Sequence, residues 1–373
     1  MADDASPSKT AAARAAPPPG VGRGFLYDAW YFAALSSEVK SGGLARYEML
    51  GEPVLIGRER GGRAYALRDI CPHRAAPLSA GKLVADADGA PAVQCPYHGW
   101  TFRTGDGACS AIPSLVEGQA METQRIRVRR YPVHEAQGLL FVYMADPAAS
   151  PDAELASPPA PFPGVVGGVP KLVERMDFEA HIDHAVVGLM DPAHGPYVHQ
   201  NWWWRSTHHQ LEKAKAFEPR EQGFAMASHA PSKNSYAYRI LGGAPVTEIT
   251  FRLPGFRWEH ITVGSKQVLA LTCLTPITET KTRITQLFWS DHWAFAVLKP
   301  VVRAASRRFL KQDGDMVNLQ NEGLKYDPPL IWIDDADRQA KWYQALKKEW
   351  SLSRREGRQF VNPVKSVTLR WRS

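Results

Sequence analysis

The alternation of apolar and polar positions divides the chain into a strand-rich first part and a second part where strands alternate with helices. Residues 45–50, 53–58 and 64–69 read as strands, the last two joined by a hairpin turn at Gly61-Gly62. Strand patterns return at 101–103, 126–131 and 138–144, with Gly105-Asp106-Gly107 as a turn and 86–91 as a surface turn. The aromatic cluster from Tyr27 to Phe32 is expected to pack one edge of this part. Residues 146–164 are dominated by Pro, Ala and Ser, the composition of a semi-rigid linker. Beyond them lie strand patterns at 172–178, 235–240, 246–253, 260–263, 267–275 and 283–289. An apolar segment spans 181–190, and helical patterns cover 294–311, 314–322 and 335–350. The expected class is α+β: a tail at 1–24, an antiparallel β domain at 25–145, the linker, and an α+β domain at 165–373 with a central antiparallel sheet flanked by helices.

Composition narrows this only a little. A chain of 373 residues with 44% hydrophobic and 22% charged residues suits a soluble protein of about two domains. The Ala/Pro/Ser-rich tail has neither a secretory signal nor an anchor pattern. No run of about 18 apolar residues occurs, so a transmembrane segment is not expected. The formal charge of +7 favours an acidic partner or an anionic surface. Nucleic acid is disfavoured, because the basic residues are scattered and interleave with no aromatic platform. Four cysteines give no disulfide framework, which points to a reducing compartment, the cytoplasm.

The chemistry concentrates in two loops, Cys71-Pro72-His73-Arg74 and Cys95-Pro96-Tyr97-His98-Gly99-Trp100. Each offers one thiolate and one imidazole. A Rieske-type [2Fe–2S] centre requires two Cys on one iron and two His on the other, and its potential lies at roughly −150 to +300 mV. A Cys₂His₂ zinc site is the rival, but zinc modules usually pair Cys with Cys and His with His.

A second cluster of donors lies in the stretch from Gly188 to His199. Two imidazoles and a carboxylate make the facial triad that holds non-haem Fe(II) with open positions for oxygen. His194 and His199 are five apart, a turn of about 140° on a continuous helix. Gly195-Pro196 between them can distort the helix and let the rings converge. His181, His184, His208 and His209 are rival ligands. The carboxylate is expected from a separate element, where Asp313 and Asp315 stand at the start of a helical pattern and have N-capping as their ordinary alternative use.

In combination these motifs resemble the oxygenase component of Rieske non-haem iron oxygenases. The two loops are similar to that family's cluster motif. Asp191-x-x-His194-x-x-x-x-His199 is similar to its iron motif, and Asp313 with Gln320 to its late Asp-x(6)-Gln pattern. The wording Met190-Asp191-Pro192-Ala193-His194 looks closest to the vanillate O-demethylase and pheophorbide a oxygenase branches, although no C-terminal membrane segment of the latter sort is seen. The resemblance implies Cys71, His73, Cys95 and His98 as cluster ligands and His194, His199 and Asp313 as ligands of a mononuclear iron. It implies that Asp191 links His194 to His98 of a neighbouring subunit, because the two metals of one subunit would be too far apart, and hence a head-to-tail homotrimer. Many members carry Asn where this chain has Gly188, a departure that removes no ligand.

The activity so implied is that of a terminal oxygenase, a monooxygenase or demethylase rather than a ring dioxygenase. It would use O2 to hydroxylate or oxidatively demethylate a hydrophobic, aromatic or terpenoid/steroid-like substrate. No Gly-rich dinucleotide fingerprint follows a strand, so electrons would come from a separate NAD(P)H-dependent reductase, with or without a ferredoxin. A Rieske-type electron carrier or a redox-sensing protein without turnover is the alternative. Trp202-Trp203-Trp204, Phe251, Phe256 and Trp258 are candidates for pocket walls, each with core packing as its ordinary use.

Overall fold

The computed structural model describes residues 22–119, 121–148, 154–165, 168–199, 210–231 and 241–373. Among them, four antiparallel sheets are formed. Leu139–Met144 is apolar throughout and buried at every position, as a central strand should be. It pairs on one side with Ala29–Leu35, which absorbs the aromatic cluster, and on the other with Val133–Ala136. A second sheet runs Leu44–Met49, Glu52–Arg58, Ala64–Arg68, Arg130–Tyr131. A third, Lys82–Ala85, Pro91–Gln94, Thr101–Arg103 and Cys109–Ala111, carries the second cysteine loop.

The second half is built on one eight-stranded sheet, in the order Leu172–Phe178, Lys281–Ser290, Lys266–Thr278, Phe256–Val263, Val246–Arg252, Gly223–His229, Glu212–Arg220, Val367–Arg372. The expected α+β class with a helix-flanked antiparallel sheet is what the chain forms. The pattern at 235–240 lies outside the described residues. Among the described residues four α-helices accompany the sheet: α1 (Ile182–Met190), α2 (Gly195–Val198), α3 (Trp293–Leu324) and α4 (Arg338–Glu356).

One expectation fails in an instructive way. The two helical patterns at 294–311 and 314–322 are a single 32-residue helix, α3, and Asp313 sits inside it rather than at its N-cap. Gly314 does not end the helix. It lets α3 approach the sheet, for a Cβ there would stand 3.2 Å from the ring of Phe178.

The two halves are stitched together by backbone. The tight turn at Leu50-Gly51, both residues at positive φ, donates from Leu50 N to Pro276 O (2.9 Å) and from Gly51 N to Ile277 O (2.7 Å). Thr275 Oγ1 donates to Phe32 O at 2.7 Å. The Pro-rich segment also packs tightly: Phe162 is buried against Phe256 and Trp258, and Ala156 O accepts from Trp30 Nε1 at 2.8 Å.

Candidate metal centres

The two cysteine loops are backbone twins despite their different His spacing. In the first, Cys71 N donates to Ala76 O (2.9 Å) and Ala75 N to Cys71 O (2.9 Å). In the second, Cys95 N donates to Trp100 O (2.8 Å) and Gly99 N to Cys95 O (3.2 Å). Each turn needs a left-handed residue four after the cysteine, Ala75 (φ 56) in one and Gly99 (φ 74) in the other. Cys71 and Cys95 are buried, whereas His73 is exposed and His98 half-buried. The rings converge: His73 and His98 have centroids 4.6 Å apart, and Trp100 stacks on His73 at 4.6 Å with 5° between the planes.

This donor set fits a [2Fe–2S] cluster. The soft sulfurs face inward and the imidazoles outward, and the buried His98 Nδ1 meets no protein partner among the described residues. Burial, and next to it the backbone and the neighbouring Cys95, set the Cys71 thiol, which is pushed up to about 11. A thiol so placed gives up its proton only to something that replaces it, such as a metal. His98 is held below the ordinary histidine value by desolvation first, then by the charges of His73 and Arg74, and so stays a neutral donor.

The second constellation gathers on three helices. α1 ends at Met190, and Asp191 occupies its C-terminal cap position, not an N-cap. The helix therefore breaks before His194, ahead of Pro192, rather than between the two histidines. Gly195-Pro196 instead opens the one-turn α2, where a proline is tolerated. His194 and His199 bracket that turn, and their rings meet at its open side with Nε2 atoms 3.1 Å apart.

Across from them, Asp313 of α3 places Oδ1 at 3.1 Å from His199 Nε2 and 3.7 Å from His194 Nε2. Three donors at right angles, each about 2.1 Å from one ion, stand about 3 Å apart. Two sides of the triangle, at 3.1 Å, have that size, and the third, at 3.7 Å, is wider, an opening that a single first-row metal closes by widening one angle. Of the two aspartates left open by the sequence, Asp313 faces the histidines, while Asp315 points outward to Lys311 at 2.5 Å. Of the rival histidines, His181 caps the start of α1 by accepting from Asp183 N, and the imidazole of His184 lies beside Gly22. His208 and His209 lie outside the described residues.

Each imidazole has a polar group behind it, within hydrogen-bond distance for His199 and beyond it for His194, whose buried Nδ1 has no hydrogen-bond partner among the described residues. Asp191 accepts from Ala193 N at 2.7 Å with one oxygen and stands 3.6 Å from His194 Nδ1 with the other. Burial opposes a charge on His194, but Asp191 and Asp313 outweigh it and hold its value above the ordinary one. His199 Nδ1 lies 3.1 Å from Gln312 Oε1, and its ring packs on Phe309 at 4.4 Å. The sequence reading missed Gln312 and Phe309. Their one signal was spacing, since 309, 312 and 313 lie on one helical face.

Residues 29–132 match the model of the Rieske [2Fe-2S] domain, and residues 178–347 that of the vanillate O-demethylase oxygenase C-terminal domain. The chain belongs to the Rieske oxygenases. Its relatives include the oxygenase component of dicamba O-demethylase from Stenotrophomonas maltophilia, 36% identical over 181 residues (47% of this chain, 48% of that protein). The iron-sulfur subunit of a toluene-4-sulfonate monooxygenase system from Comamonas testosteroni is 40% identical over 129 residues (34% of each). Chlorophyllide a oxygenase from Chlamydomonas reinhardtii is 33% identical over 179 residues (47% of this chain, 24% of that protein). The chain therefore spans less than half the length of these curated relatives. The crystal structure of dicamba monooxygenase bound to dicamba has the same fold, with a TM-score of 0.67 at 22% identity over 90% of this chain and 100% of that one.

Within this Rieske oxygenase the expected cofactors are a [2Fe–2S] cluster and a mononuclear non-haem iron. Phe251, Phe256 and Trp258 are packed into the core, and Trp202, Trp203 and Trp204 lie outside the described residues. No helix among the described residues is long and apolar enough to cross a membrane.

Proposed function

We propose that the chain is the terminal component of an oxygenase that hydroxylates or oxidatively demethylates a hydrophobic substrate, with Cys71, His73, Cys95 and His98 holding the cluster and His194, His199 and Asp313 the mononuclear iron. The observation that carries this reading is the triangle of His194 Nε2, His199 Nε2 and Asp313 Oδ1, which an electron carrier has no use for. Bound there, the iron offers open positions for O2 and the cluster stores single electrons. The protein's own part is placement. Asp191 fixes the Nδ1 side of His194, and its carboxylate, 32% exposed, is open to His98 of a neighbouring subunit in a homotrimer. Electrons come from a separate NAD(P)H-dependent reductase, with or without a ferredoxin. The free thiols of Cys109 and Cys273 favour the cytoplasm. The division into a tail at 1–24, a cluster domain at 25–145, a linker at 146–164 and an iron domain at 165–373 belongs to this reading, and the matches over 29–132 and 178–347 support it.

Demethylation and N-dealkylation among the relatives (dicamba O-demethylase, chloroacetanilide N-alkylformylase) support testing ethers and N-alkyl amides first, with sterol-like substrates next, after the 4beta-methylsterol monooxygenase of Methylococcus capsulatus. The test is iron analysis together with oxygen uptake driven by a surrogate reductase, the products being identified by mass. About three irons per chain and substrate-dependent uptake are expected. About two irons and no uptake would return the reading to an electron carrier.

A further inference from the structure

The two candidate iron-facing histidines face unlike groups from behind, and only His199 is hydrogen-bonded to its own. His194 backs onto a carboxylate, Asp191, at 3.6 Å, whereas His199 backs onto an uncharged amide, Gln312 Oε1, at 3.1 Å. Gln312 directly precedes Asp313 in α3, and Phe309 lies one turn earlier. Three successive positions on one face of α3 therefore meet a single imidazole. Phe309 lies against its ring at 4.4 Å, Gln312 meets Nδ1, and Asp313 Oδ1 lies 3.1 Å from Nε2.

We propose that Gln312 is a positioning residue for the metal centre, fixing His199 as its Nδ1–H tautomer so that the Nε2 lone pair points at the ion. This rests on the reading of His194, His199 and Asp313 as the iron ligands. Neutral imidazole carries one N–H, and a metal on Nε2 requires that it sit on Nδ1. Gln312 Oε1 is an acceptor at hydrogen-bond distance from that nitrogen, so the protein dictates the tautomer before metal arrives. An amide does this without adding charge. With Asp313 already in the site and Asp191 behind His194, a third carboxylate would add a further negative charge beside a divalent ion. His199 is buried, so water has little access to replace the acceptor. Because Gln312 and Asp313 are consecutive on one rigid helix, the orienting group and the anionic ligand move together. The centre is tuned by α3 as a unit.

The test uses the full chain with its cluster in place, comparing the wild type with Gln312→Leu, Gln312→Glu and His199→Ala. Fe(II) affinity is measured anaerobically against a chromogenic chelator, cluster content by visible circular dichroism, and the ligand-field spectrum with Co(II) in the site. Gln312→Leu is expected to lose about 10- to 100-fold in Fe(II) affinity and to alter the Co(II) spectrum, with the cluster signal unchanged. Gln312→Glu, which keeps the acceptor, is expected to bind at least as tightly as wild type. Wild-type affinity with an unchanged Co(II) spectrum in Gln312→Leu would overturn the proposal. So would a loss in Gln312→Glu equal to that in Gln312→Leu when both melt like wild type. His199→Ala separates the two levels: if it too retains iron, the ligand assignment fails, and if it alone loses iron, only the role of Gln312 fails.

Discussion

Replacing Lys347 by Met should destabilise the second half of the molecule severely. Lys347, on α4, donates to both oxygens of Asp183 at 2.6 and 2.7 Å, and Tyr343, one turn earlier, donates to the same carboxylate at 2.7 Å. Gly22 N adds a fourth bond at 2.9 Å. The lysine and aspartate side chains are only 5% and 2% exposed, so neither charge can turn to water. Removing the cation leaves a buried carboxylate with two neutral donors, a change that costs about 3–5 kcal/mol. That is a large share of a domain's total of about 5–15 kcal/mol. Asp183 lies in the first turn of α1, whose other end carries Asp191, so the damage falls on the element that leads to the candidate iron site. Urea unfolding followed by tryptophan fluorescence would measure it, with the exposed Lys348→Met as control. The double variant Asp183→Asn/Lys347→Met, which removes both charges, should recover most of the loss. A Lys347→Met protein within about 1 kcal/mol of wild type, or a double variant no better than the single, would refute the argument.

Asp313→Ala should empty the mononuclear site while leaving the cluster spectrum intact, and Asp315→Ala, which only frees Lys311, should keep both metals; iron counts per chain decide. Asp191→Ala should retain cluster and iron yet lose steady-state oxidation; unchanged turnover would remove Asp191 from the electron route. Acid should weaken the fold below about pH 6.5. Burial holds His181, His184 and His229 below the ordinary histidine value, so the unfolded chain takes up their protons first and stability falls as the pH drops from about 6.5 towards each lowered value. His194, raised instead, acts in the opposite sense unless the proposed iron occupies its Nε2. Melting temperatures of the iron-loaded protein at pH 7.5, 6.5 and 5.5 would test the sign, and a rise on acidification would reverse it.

Leu44–Met49, Glu52–Arg58, Ala64–Arg68 and Leu139–Met144 were legible because their apolar residues alternate or run continuously, whereas Lys82–Ala85, Pro91–Gln94 and Cys109–Ala111, short strands beside the second cysteine loop, were not; the candidate ligands stood out because Cys and His recur at short, fixed spacing. Glu212–Arg220 went unseen because it alternates charge with small residues (Glu-Lys-Ala-Lys-Ala), so its buried positions include Lys213. The break read between 311 and 314 followed a sound local rule, since aspartate is a common helix N-cap. Packing against Phe178 overrides it, and the small residue serves the contact rather than the turn. Gln312 was illegible for another reason. A glutamine beside an aspartate has no pattern of its own, and its meaning comes from a histidine 113 positions away.

That close approach of Gly314 to Phe178 makes the candidate iron site adjustable from below. An alanine at 314 would need the phenyl ring to give way by a few tenths of an ångström, and a larger residue would lift the whole rod carrying Phe309, Gln312 and Asp313. A smaller side chain at 178 would let the rod settle inward. Positions 178 and 314 thus form a set-screw under the His194, His199 and Asp313 triangle, through which its spacing could be graded without replacing any of the three.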